Sequence, residues 1–384
     1  MVGHKLPTVV ALGGGIGGQV VSTRLKQKLG GTAHVALIER SPRFTFAPSL
    51  LWLMVGQRKV GTISRDYAAL RRRGVEVIQA GVTGVDAEQS KVRTDRGEIG
   101  YDYLVIALGA ELAPERMAGL AEYAHHPYDL GSAERLRDAL ARFSGGRVVV
   151  AISALPYKCP AAPYETAMLV DGFLRRRGLG GASQVEVYTP EPLPLPVAGA
   201  YPGYSVAAEL AARSIGFHPR TQLERVEEKA LVIDGESVPY DLAIVIPPHR
   251  PPEALSSTTL AGPGGWIRVD RGTLRTGAEN VYALGDATAM PLENGMMLPK
   301  AGVFAHGEAE VVAENIARRI RGGVGEAEFD GHGTCFLETG GGKSGLARGD
   351  FFASPAPRVA MYRPSRAWHA GKIAFEQYWL RRWL

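Results

Sequence analysis

Two cysteines, Cys159 and Cys335, are the residues of this sequence best suited to redox chemistry. Cys159 follows Lys158 and precedes a predicted helix start near Pro163, and both features are expected to stabilise a thiolate. Glu165 falls in the first turn of that helix, where a carboxylate can carry protons. The alternatives are a cysteine that serves as a small buried side chain and a glutamate that only caps its helix.

The number of cysteines also limits the class of protein. Two cysteines that stand far apart in the sequence exclude a disulfide scaffold and a zinc site built from Cys-x-x-Cys motifs. We therefore expect no metal site. A single cysteine pair, brought together by the fold, remains open.

The composition of the 384 residues is typical of a folded globular protein, with 45% hydrophobic and 22% charged residues. The net charge of +5 is small and evenly spread, which argues against a nucleic-acid partner. We expect no membrane-spanning helix, because no apolar run is long enough. We also expect no signal peptide, because the first apolar run, residues 6–12, leads directly into a glycine loop.

The elements that position these side chains begin with a predicted dinucleotide-binding unit. Residues 8–12 form a buried strand, Gly13, Gly15 and Gly18 fill a G-x-G-x-x-G pattern, and a helix follows over 19–28. The next strand, 34–38, ends at Glu39. Glycines allow the backbone to approach a pyrophosphate at a helix N-terminus, and the acid accepts hydrogen bonds from an unphosphorylated ribose. The alternative is a glycine-rich turn without a ligand.

Two later strand ends indicate which dinucleotide binds. Residues 101–109 form a strand that ends at Gly109, and residues 276–286 form a strand that ends in Gly285 and Asp286. The three motifs in this order resemble those of the two-dinucleotide-domain flavoproteins, which include the disulfide reductases. The resemblance implies FAD, with Asp286 on its flavin side. The implied cofactor-binding residues are Gly13, Gly15, Gly18, Glu39, Gly109, Gly285 and Asp286.

A second βαβ unit is predicted to have lost its nucleotide. Its first strand spans 146–152 and its returning strand spans 184–188. The turn between the first strand and the helix, residues 153–163, contains no glycine. The proline and bulky side chains of this turn would block a pyrophosphate. We expect a Rossmann-like shape without a nicotinamide site.

Three segments narrow the resemblance to the sulfide:quinone oxidoreductases and the flavin subunit of flavocytochrome c sulfide dehydrogenase. They are residues 155–165, 298–310 and 333–340. The resemblance implies that Cys159 and Cys335 face each other beside the flavin, as a disulfide or sulfur-bridged pair that sulfide attacks. It also implies that Lys300 lies near the pyrimidine end of the flavin and that Glu165 serves the sulfide side.

The C-terminal tail, residues 366–384, is a candidate amphipathic helix. We expect its aromatic stripe to face a membrane together with basic residues, although a helix docked on the body or on a second copy is the alternative. The resemblance also assigns Tyr378 to quinone contact. The stripe consists of Trp368, Phe375, Trp379 and Trp383, and the basic residues are Arg366, Lys372, Arg381 and Arg382.

Three departures from the related families change what is expected. Residues 44–51 contain no cysteine for covalent attachment, so FAD is expected to bind non-covalently. No third cysteine lies between Gly109 and the second unit, and residues 189–196 lack the family's histidine. The sulfur chemistry must therefore use two cysteines.

Together the patterns predict an α/β fold of two Rossmann-like domains and a short C-terminal membrane-facing region. The FAD domain is discontinuous, at 1–115 and 241–325, around a Rossmann-like domain at 116–240, and residues 326–384 carry Cys335 and the tail. The predicted activity is FAD-dependent oxidation of sulfide to polysulfide or sulfur by the cysteine pair, with electrons passed to a membrane quinone. The alternatives are transfer to a cytochrome c, type II NADH:quinone oxidoreduction, and a flavin-binding module without activity. We expect a peripheral, monotopic protein at the cell membrane, and self-association is left open.

Overall fold

The computed structural model describes residues 6–383. The strands are, in chain order, β1 (Thr8–Leu12), β2 (His34–Glu39), β3 (Arg43–Thr45), β4 (Ser64–Asp66), β5 (Glu76–Gln79), β6 (Val82–Asp86), β7 (Lys91–Thr94), β8 (Gly97–Gly100), β9 (Tyr103–Ile106), β10 (Glu111–Leu112), β11 (Gly146–Ile152), β12 (Ser183–Thr189), β13 (Gly216–Pro219), β14 (Leu223–Val226), β15 (Ala230–Ile233), β16 (Glu236–Pro239), β17 (Leu242–Ile246), β18 (His249–Arg250), β19 (Ile267–Arg268), β20 (Val281–Ala283), β21 (Thr288–Ala289), β22 (His332–Gly340), β23 (Lys343–Asp350) and β24 (Arg358–Ser365). The helices are α1 (Ile16–Leu29), α2 (Leu50–Met54), α3 (Val60–Ile63), α4 (Ala68–Arg72), α5 (Leu120–Tyr123), α6 (Leu130–Arg142), α7 (Ala162–Arg176), α8 (Ala200–Ala211), α9 (Gly302–Ile320) and α10 (Arg366–Arg382).

The first sheet joins the N-terminal strands to a strand from much later in the chain. Its order is β20-β9-β1-β2-β5, and all neighbouring pairs are parallel. Strand β1 is buried on both faces, as its continuous apolar sequence predicts. Helices α1 and α9 pack against each other, and side chains of both belong to the core beside this sheet. The predicted discontinuous dinucleotide-binding domain is confirmed.

The second sheet is a separate parallel sheet of order β13-β12-β11-β17. Helix α7 follows β11 and begins at Ala162 with Pro163 in its first turn, as expected. Strand β17 pairs with β11 along its whole length. The boundary predicted between residues 240 and 241 is therefore placed too early, because residues 242–246 complete the second sheet rather than return to the first.

The C-terminal region is an antiparallel sheet, β22-β23-β24, that leads into α10. Strand β22 packs on α7, which brings the region that contains Cys335 against the start of the second βαβ unit. Ser365 caps α10 by accepting a hydrogen bond from the backbone N–H of Trp368.

The aromatic stripe of α10 faces largely inward, which corrects the membrane-facing prediction for two of its members. Trp379 and Trp383 are 1% and 2% exposed. The Trp379 ring centroid lies 5.0 Å from that of Phe44 and 5.2 Å from that of Phe46. These indoles therefore pack in the core beside the first sheet, which we call the first core. Burial there removes more apolar surface from water than contact with a membrane surface does. This face of α10 therefore matches the alternative prediction, a helix that docks on the body of the protein.

Other side chains of α10 are open to solvent. Tyr378 is 60% exposed and Phe375 is 44% exposed, and Trp368 is partly buried. Lys372, expected to supply surface charge, is instead buried. Within residues 6–383, we find no helix that combines the length and the apolar composition needed to cross a bilayer.

Candidate functional site

The glycine loop after β1 is tightly packed on one side and open on the other. A Cβ on Gly13, whose φ is +93°, would lie 2.5 Å from the carbonyl oxygen of Ala107, and one on Gly18 would lie 1.8 Å from that of Gly13. A Cβ on Gly15 would meet no atom of the described residues within 4 Å. The loop thus leaves at Gly15 the open backbone surface that a pyrophosphate requires.

Glu39 stands at the end of β2, beside this loop. Its carboxylate accepts hydrogen bonds from the backbone N–H groups of Gly14, at 2.6 Å, and Ser41, at 2.7 Å. These bonds hold the acid at the edge of the glycine loop. The remaining acceptor capacity of the carboxylate is available to a ribose hydroxyl.

A second part of the cofactor site lies where β9 and β20 end. Gly109 has a φ of +71°, which suits glycine, and a Cβ there would also meet no described atom within 4 Å. Beyond β20, the Gly285 N–H donates to the carboxylate of Glu308 at 2.6 Å. Burial raises the pKa of Glu308 to about 7. The Oδ1 atom of Asp286 is buried and has no hydrogen-bond partner among residues 6–383. A ligand donor would satisfy this atom, so the residues fit a bound dinucleotide here.

Lys300 lies in the loop between β21 and α9, residues 290–301, which we call the Lys300 loop. Its Nζ donates to the carbonyl oxygens of Asp286, at 2.8 Å, and Thr288, at 3.0 Å, and it lies 3.5 Å from the ring centroid of Trp266. Burial lowers the pKa of Lys300 to about 8. The structure therefore places Lys300 with Asp286, as expected for two residues of one site.

The turn between β11 and α7 places Cys159 against the Lys300 loop. The backbone N–H of Cys159 donates to the Lys300 carbonyl at 2.7 Å, and the Cys159 carbonyl accepts from the N–H of Ala162 at 2.9 Å. Cys159 has a φ of +54°, a left-handed conformation that costs about 1–2 kcal/mol for a residue other than glycine. Such strain persists only where the surroundings impose it, and it is concentrated at functional sites.

Cys335 reaches the same site from β22, where it pairs with Ala347 of β23. Both cysteines are free thiols. The charge of a thiolate at Cys335 raises the pKa of Cys159, and the carboxylate of Glu165 raises the pKa of both thiols. The fold therefore brings Cys159, Cys335 and Glu165 together. The residue Cys335 is exposed at the edge of β22, whereas Cys159 is partly buried, so solvent reaches the site from the side of β22.

Burial overturns the expectation of a stabilised thiolate at Cys159. Desolvation, followed by Glu165 and Cys335, raises the pKa of Cys159 well above its ordinary value. Desolvation likewise raises the pKa of Cys335 to about 11. Lys158, expected to assist, is itself surrounded by protein, and this burial lowers its pKa. Both thiols are therefore protonated at neutral pH.

A buried ion-pair network, which the sequence analysis missed, surrounds Glu165. The Glu165 Oε1 accepts from Lys372 Nζ at 3.0 Å and from the backbone N–H of Glu338 at 2.7 Å. Lys372 Nζ also lies 3.9 Å from the Glu338 carboxylate, which His369 Nδ1 contacts at 3.1 Å. These carboxylates raise the pKa of Lys372 despite its burial. The missed signal was the position of Lys372 on the stripe of Trp368 and Trp379, where a charged residue indicates a buried ion pair.

A cluster of aromatic rings joins β22 to α10. The ring centroid of Phe375, on α10, lies 6.2 Å from that of Phe336 and 6.1 Å from that of Phe46. Phe336 follows Cys335 on β22, where successive side chains point to opposite faces, so these rings lie where the strand that carries Cys335 packs against α10, next to the exposed side of that helix. Tyr378, the predicted quinone contact, lies on that exposed side.

The comparisons with known proteins agree with this geometry. Residues 7–154 match the family model described as pyridine nucleotide-disulphide oxidoreductase. The mitochondrial sulfide:quinone oxidoreductase of Mus musculus is 28% identical over 367 residues, which cover 90% of this chain and 79% of that protein.

The solved structure of the sulfide:quinone oxidoreductase from Aquifex aeolicus superposes with a TM-score of 0.90 at 26% identity, over 98% of this chain and 91% of that chain. The chain is also similar, at 22% identity over 84% of each protein, to a type II NADH:quinone oxidoreductase of Staphylococcus aureus.

Proposed function

The chain is a flavoprotein oxidoreductase with FAD as its cofactor, related to the sulfide:quinone oxidoreductases, and we propose that it oxidises sulfide and reduces a quinone. One observation carries the proposal. Two cysteines from distant parts of the chain meet at one buried carboxylate, Glu165, beside the Lys300 loop.

The residues that hold FAD divide into two groups. The adenosine diphosphate half would lie on Gly13, Gly15, Gly18 and Glu39. The flavin half would lie near Gly109, Gly285, Asp286 and Lys300. When bound, FAD supplies two-electron chemistry between the sulfur and the quinone. The chain itself has no cysteine in residues 44–51, so we propose a non-covalent complex.

The sulfur step uses the cysteine pair in its oxidised form. A hydrosulfide ion adds to one sulfur of the Cys159–Cys335 disulfide, the S–S bond breaks, and the other sulfur leaves as a thiolate. The products of this step are one persulfide and one thiolate, with no net change in electrons. Transfer of two electrons to the bound FAD, with loss of one proton, would join the persulfide and the thiolate through one bridging sulfane sulfur. A further hydrosulfide ion would then take up this sulfur as a polysulfide and restore the Cys159–Cys335 disulfide, and repeated uptake would lengthen the sulfur chain.

The protons of this chemistry need a carrier, because burial disfavours thiolates at both cysteines. Glu165 is the carboxylate that faces both thiols, and Lys372 holds it in place at 3.0 Å. We assign Glu165 the uptake of the proton that hydrogen sulfide or a thiol releases.

The quinone is assigned to the side of α10. The rings of Phe336 and Phe375 offer apolar surface where β22 packs against α10, and Tyr378 lies on the exposed side of the same helix. A flat quinone ring suits contact with aromatic side chains. Trp379 and Trp383 are excluded from this role by their burial in the first core.

An exposed aromatic face supports contact with a membrane surface. It consists of the exposed rings of Tyr201 and Tyr204 on α8, Tyr362 on β24, and Phe375 and Tyr378 on α10, with the partly buried Trp368 beside Tyr362. Helix α8 packs on β24, and the ring of Tyr362 lies 6.0 Å from that of Trp368. Aromatic rings with polar edges favour the interface between lipid and water, where a quinone would enter.

NADH is the donor of some relatives, and the second βαβ unit disfavours it here. The turn at residues 153–163 has no glycine and carries the bulky side chains of Tyr157 and Lys158. A cytochrome acceptor is the other alternative, and the exposed aromatic face favours a lipid-soluble acceptor instead.

The deciding experiment is anaerobic mixing of the FAD-loaded protein with sulfide or with NADH, followed through the flavin absorbance. We expect sulfide to bleach the flavin and added quinone to restore it, while NADH leaves it oxidised. Bleaching by NADH alone would refute the proposal.

Cysteine variants test the same proposal at the pair. Cys159→Ser and Cys335→Ser should each bind FAD normally and lose sulfide-driven turnover, because each removes one of the two sulfurs that the chemistry requires. Near-normal turnover in either variant would show that the pair is not the site of sulfide oxidation.

A further inference from the structure

The second βαβ unit retains an acid at the end of its second strand, and this acid has a different contact from that in the first unit. In the first unit, Glu39 ends β2 and reaches back to the glycine loop, where it accepts from the Gly14 N–H at 2.6 Å. In the second unit, Glu191 lies just after β12, the strand parallel to β11. It reaches back to the equivalent turn, where no glycine is present.

Glu191 binds hydroxyl groups of its own chain rather than facing open space. Its Oε2 accepts from the hydroxyl of Tyr164 at 2.6 Å and from that of Tyr157 at 2.9 Å, and the Thr189 hydroxyl lies 3.4 Å away. Glu191 is 4% exposed, and both tyrosines are also buried. In a nucleotide-binding βαβ unit, an acid at this place would bind a ribose.

The two tyrosines are the ends of the segment that carries Cys159. Tyr157 lies in the turn just before Cys159, and its hydroxyl is also 3.3 Å from the carbonyl of Pro160. Tyr164 lies in the first turn of α7. One carboxylate thus ties both sides of the turn, which keeps Cys159 in its strained left-handed conformation, with its N–H on the Lys300 carbonyl.

We propose that Glu191 is a positioning residue that clamps the Cys159 turn, in the place where a nicotinamide-binding unit keeps its ribose-binding acid. Its effect is geometric, because Glu191 is not among the charges that shift the pKa of Cys159. The clamp holds the thiol in its desolvated setting beside the Lys300 loop. The inference rests on the proposed function only for the use that the enzyme makes of Cys159.

The test measures the thiol itself, in the FAD-loaded full chain. Cys335→Ser leaves Cys159 as the only thiol, because the sequence has two cysteines. The rate of maleimide labelling is then measured against pH in this background and with Glu191→Ala, Glu191→Gln or Tyr157→Phe added. Tyr240→Phe is the matched control, since its buried hydroxyl donates to the Glu227 carbonyl at 2.6 Å, away from the turn.

In the Cys335→Ser background we expect slow labelling with a high apparent pKa. Glu191→Ala and Tyr157→Phe should release the turn, move the apparent pKa toward the ordinary thiol value of about 8.5, and raise the labelling rate at pH 8 about tenfold. Glu191→Gln should stay within about twofold of the background, because an amide oxygen accepts the same hydroxyl bonds. Tyr240→Phe should leave the apparent pKa unchanged even where it lowers stability.

The clamp is refuted if Tyr157→Phe and Glu191→Ala label like Tyr240→Phe, or if Glu191→Gln behaves like Glu191→Ala. The first outcome would show that the hydroxyl hydrogen bonds do not position the Cys159 turn. The second would show that the charge of Glu191, rather than its hydrogen bonds, causes the effect. Tyr157→Phe keeps the test decisive if Glu191→Ala does not fold. Failure of sulfide to reduce the unmodified protein would refute the proposed function and leave this labelling result intact.

Discussion

At the residue scale, the two cysteines must release protons before they can react, and charged residues lie beside them. Desolvation keeps both thiols protonated at neutral pH, and Glu165 adds to this effect because its negative charge opposes a second one nearby. Lys372 offsets the charge of Glu165 at 3.0 Å. The cysteine pair therefore lies beside a buried carboxylate that is held by a buried cation.

Glu165→Gln should lower sulfide-driven turnover by about 10²-fold, since it removes a proton carrier rather than a nucleophile. In a Cys159→Ser background it should also lower the apparent pKa of Cys335 below about 11, because the repelling charge is gone. Labelling of Cys335 at pH 9 would then become faster. Glu310→Gln, at an ion pair with Arg24 on the surface of α9, is the control. An unchanged Cys335 pKa would contradict the interpretation that the charge of Glu165 raises it.

Lys372→Met should destabilise the FAD-loaded protein by about 3–5 kcal/mol, because it leaves Glu165 and Glu338 buried without their cation. The measurement is equilibrium unfolding in urea. Because the partners raise the pKa of Lys372, its contribution is complete below its ordinary pKa of 10.5 and is lost as pH rises through the higher folded value.

The control for Lys372→Met is Arg381→Met, at an exposed position of the same helix, which should change stability by no more than about 0.5 kcal/mol. Combining Lys372→Met with Glu165→Gln should cost less than the sum of the single changes. Strict additivity would show that the ion pair is not coupled.

At the scale of elements, α10 has a structural face and an exposed face. Its indoles fill the first core, its buried lysine holds Glu165, and its Glu376 carboxylate is bound by Arg58 at 2.8 Å. Removal of the tail would therefore dismantle the cysteine site as well as any membrane contact. Single substitutions can test the structural face and the exposed face of α10 separately.

Trp379→Ala should destabilise the protein by about 3–5 kcal/mol, as expected for an aromatic side chain lost from a core. Tyr378→Ala, at the neighbouring position, should change stability by no more than about 0.5 kcal/mol, because its side chain is 60% exposed. Thermal unfolding compares the two variants. Equal destabilisation would contradict the inward orientation of Trp379.

The exposed aromatic face predicts association with lipid. Replacing Tyr201, Tyr204 and Tyr378 by serine should lower the fraction of protein that floats with anionic vesicles, with sulfide-driven flavin reduction unchanged. The exposed Arg381 and Arg382 would add on the order of 1 kcal/mol each near such a surface, so salt should weaken binding. Val324→Ser, at a 94% exposed apolar residue outside this face, is the control. Equal flotation of the triple variant would contradict the membrane contact.

At the scale of the whole molecule, two βαβ units of one architecture have different uses. The first keeps an open glycine loop for FAD, and the second fills its turn with tyrosines and presents a cysteine to the first. Both units meet at the Lys300 loop and β22. The proposed active site thus draws residues from both units and belongs to neither unit alone.

This arrangement predicts that FAD binds without a covalent bond. Both cysteines are assigned to the proposed sulfide site, and residues 44–51 contain no other thiol for attachment. Acid precipitation should release all the flavin into the supernatant and leave a colourless pellet. A yellow pellet would contradict this expectation.

The sequence alone determined the local features of this protein. The glycine spacing at Gly13, the apolar run of β1 and the glycine-free turn before Pro163 each depend on neighbours in the chain, so the two dinucleotide-type units were predictable. The resemblance of the segments around Cys159 and Cys335 to the sulfide:quinone oxidoreductases indicated the chemistry, and the cysteine count limited it to one pair.

Only the tertiary structure decided the surroundings of those residues. Burial, which depends on every packed element, made both thiols protonated and turned Trp379 and Trp383 inward. The pairing of Lys372 with Glu165 joins two helices far apart in the chain, and helical spacing alone does not specify such a partner. The sheet that β17 joins was likewise set by long-range pairing with β11, which no local pattern encodes.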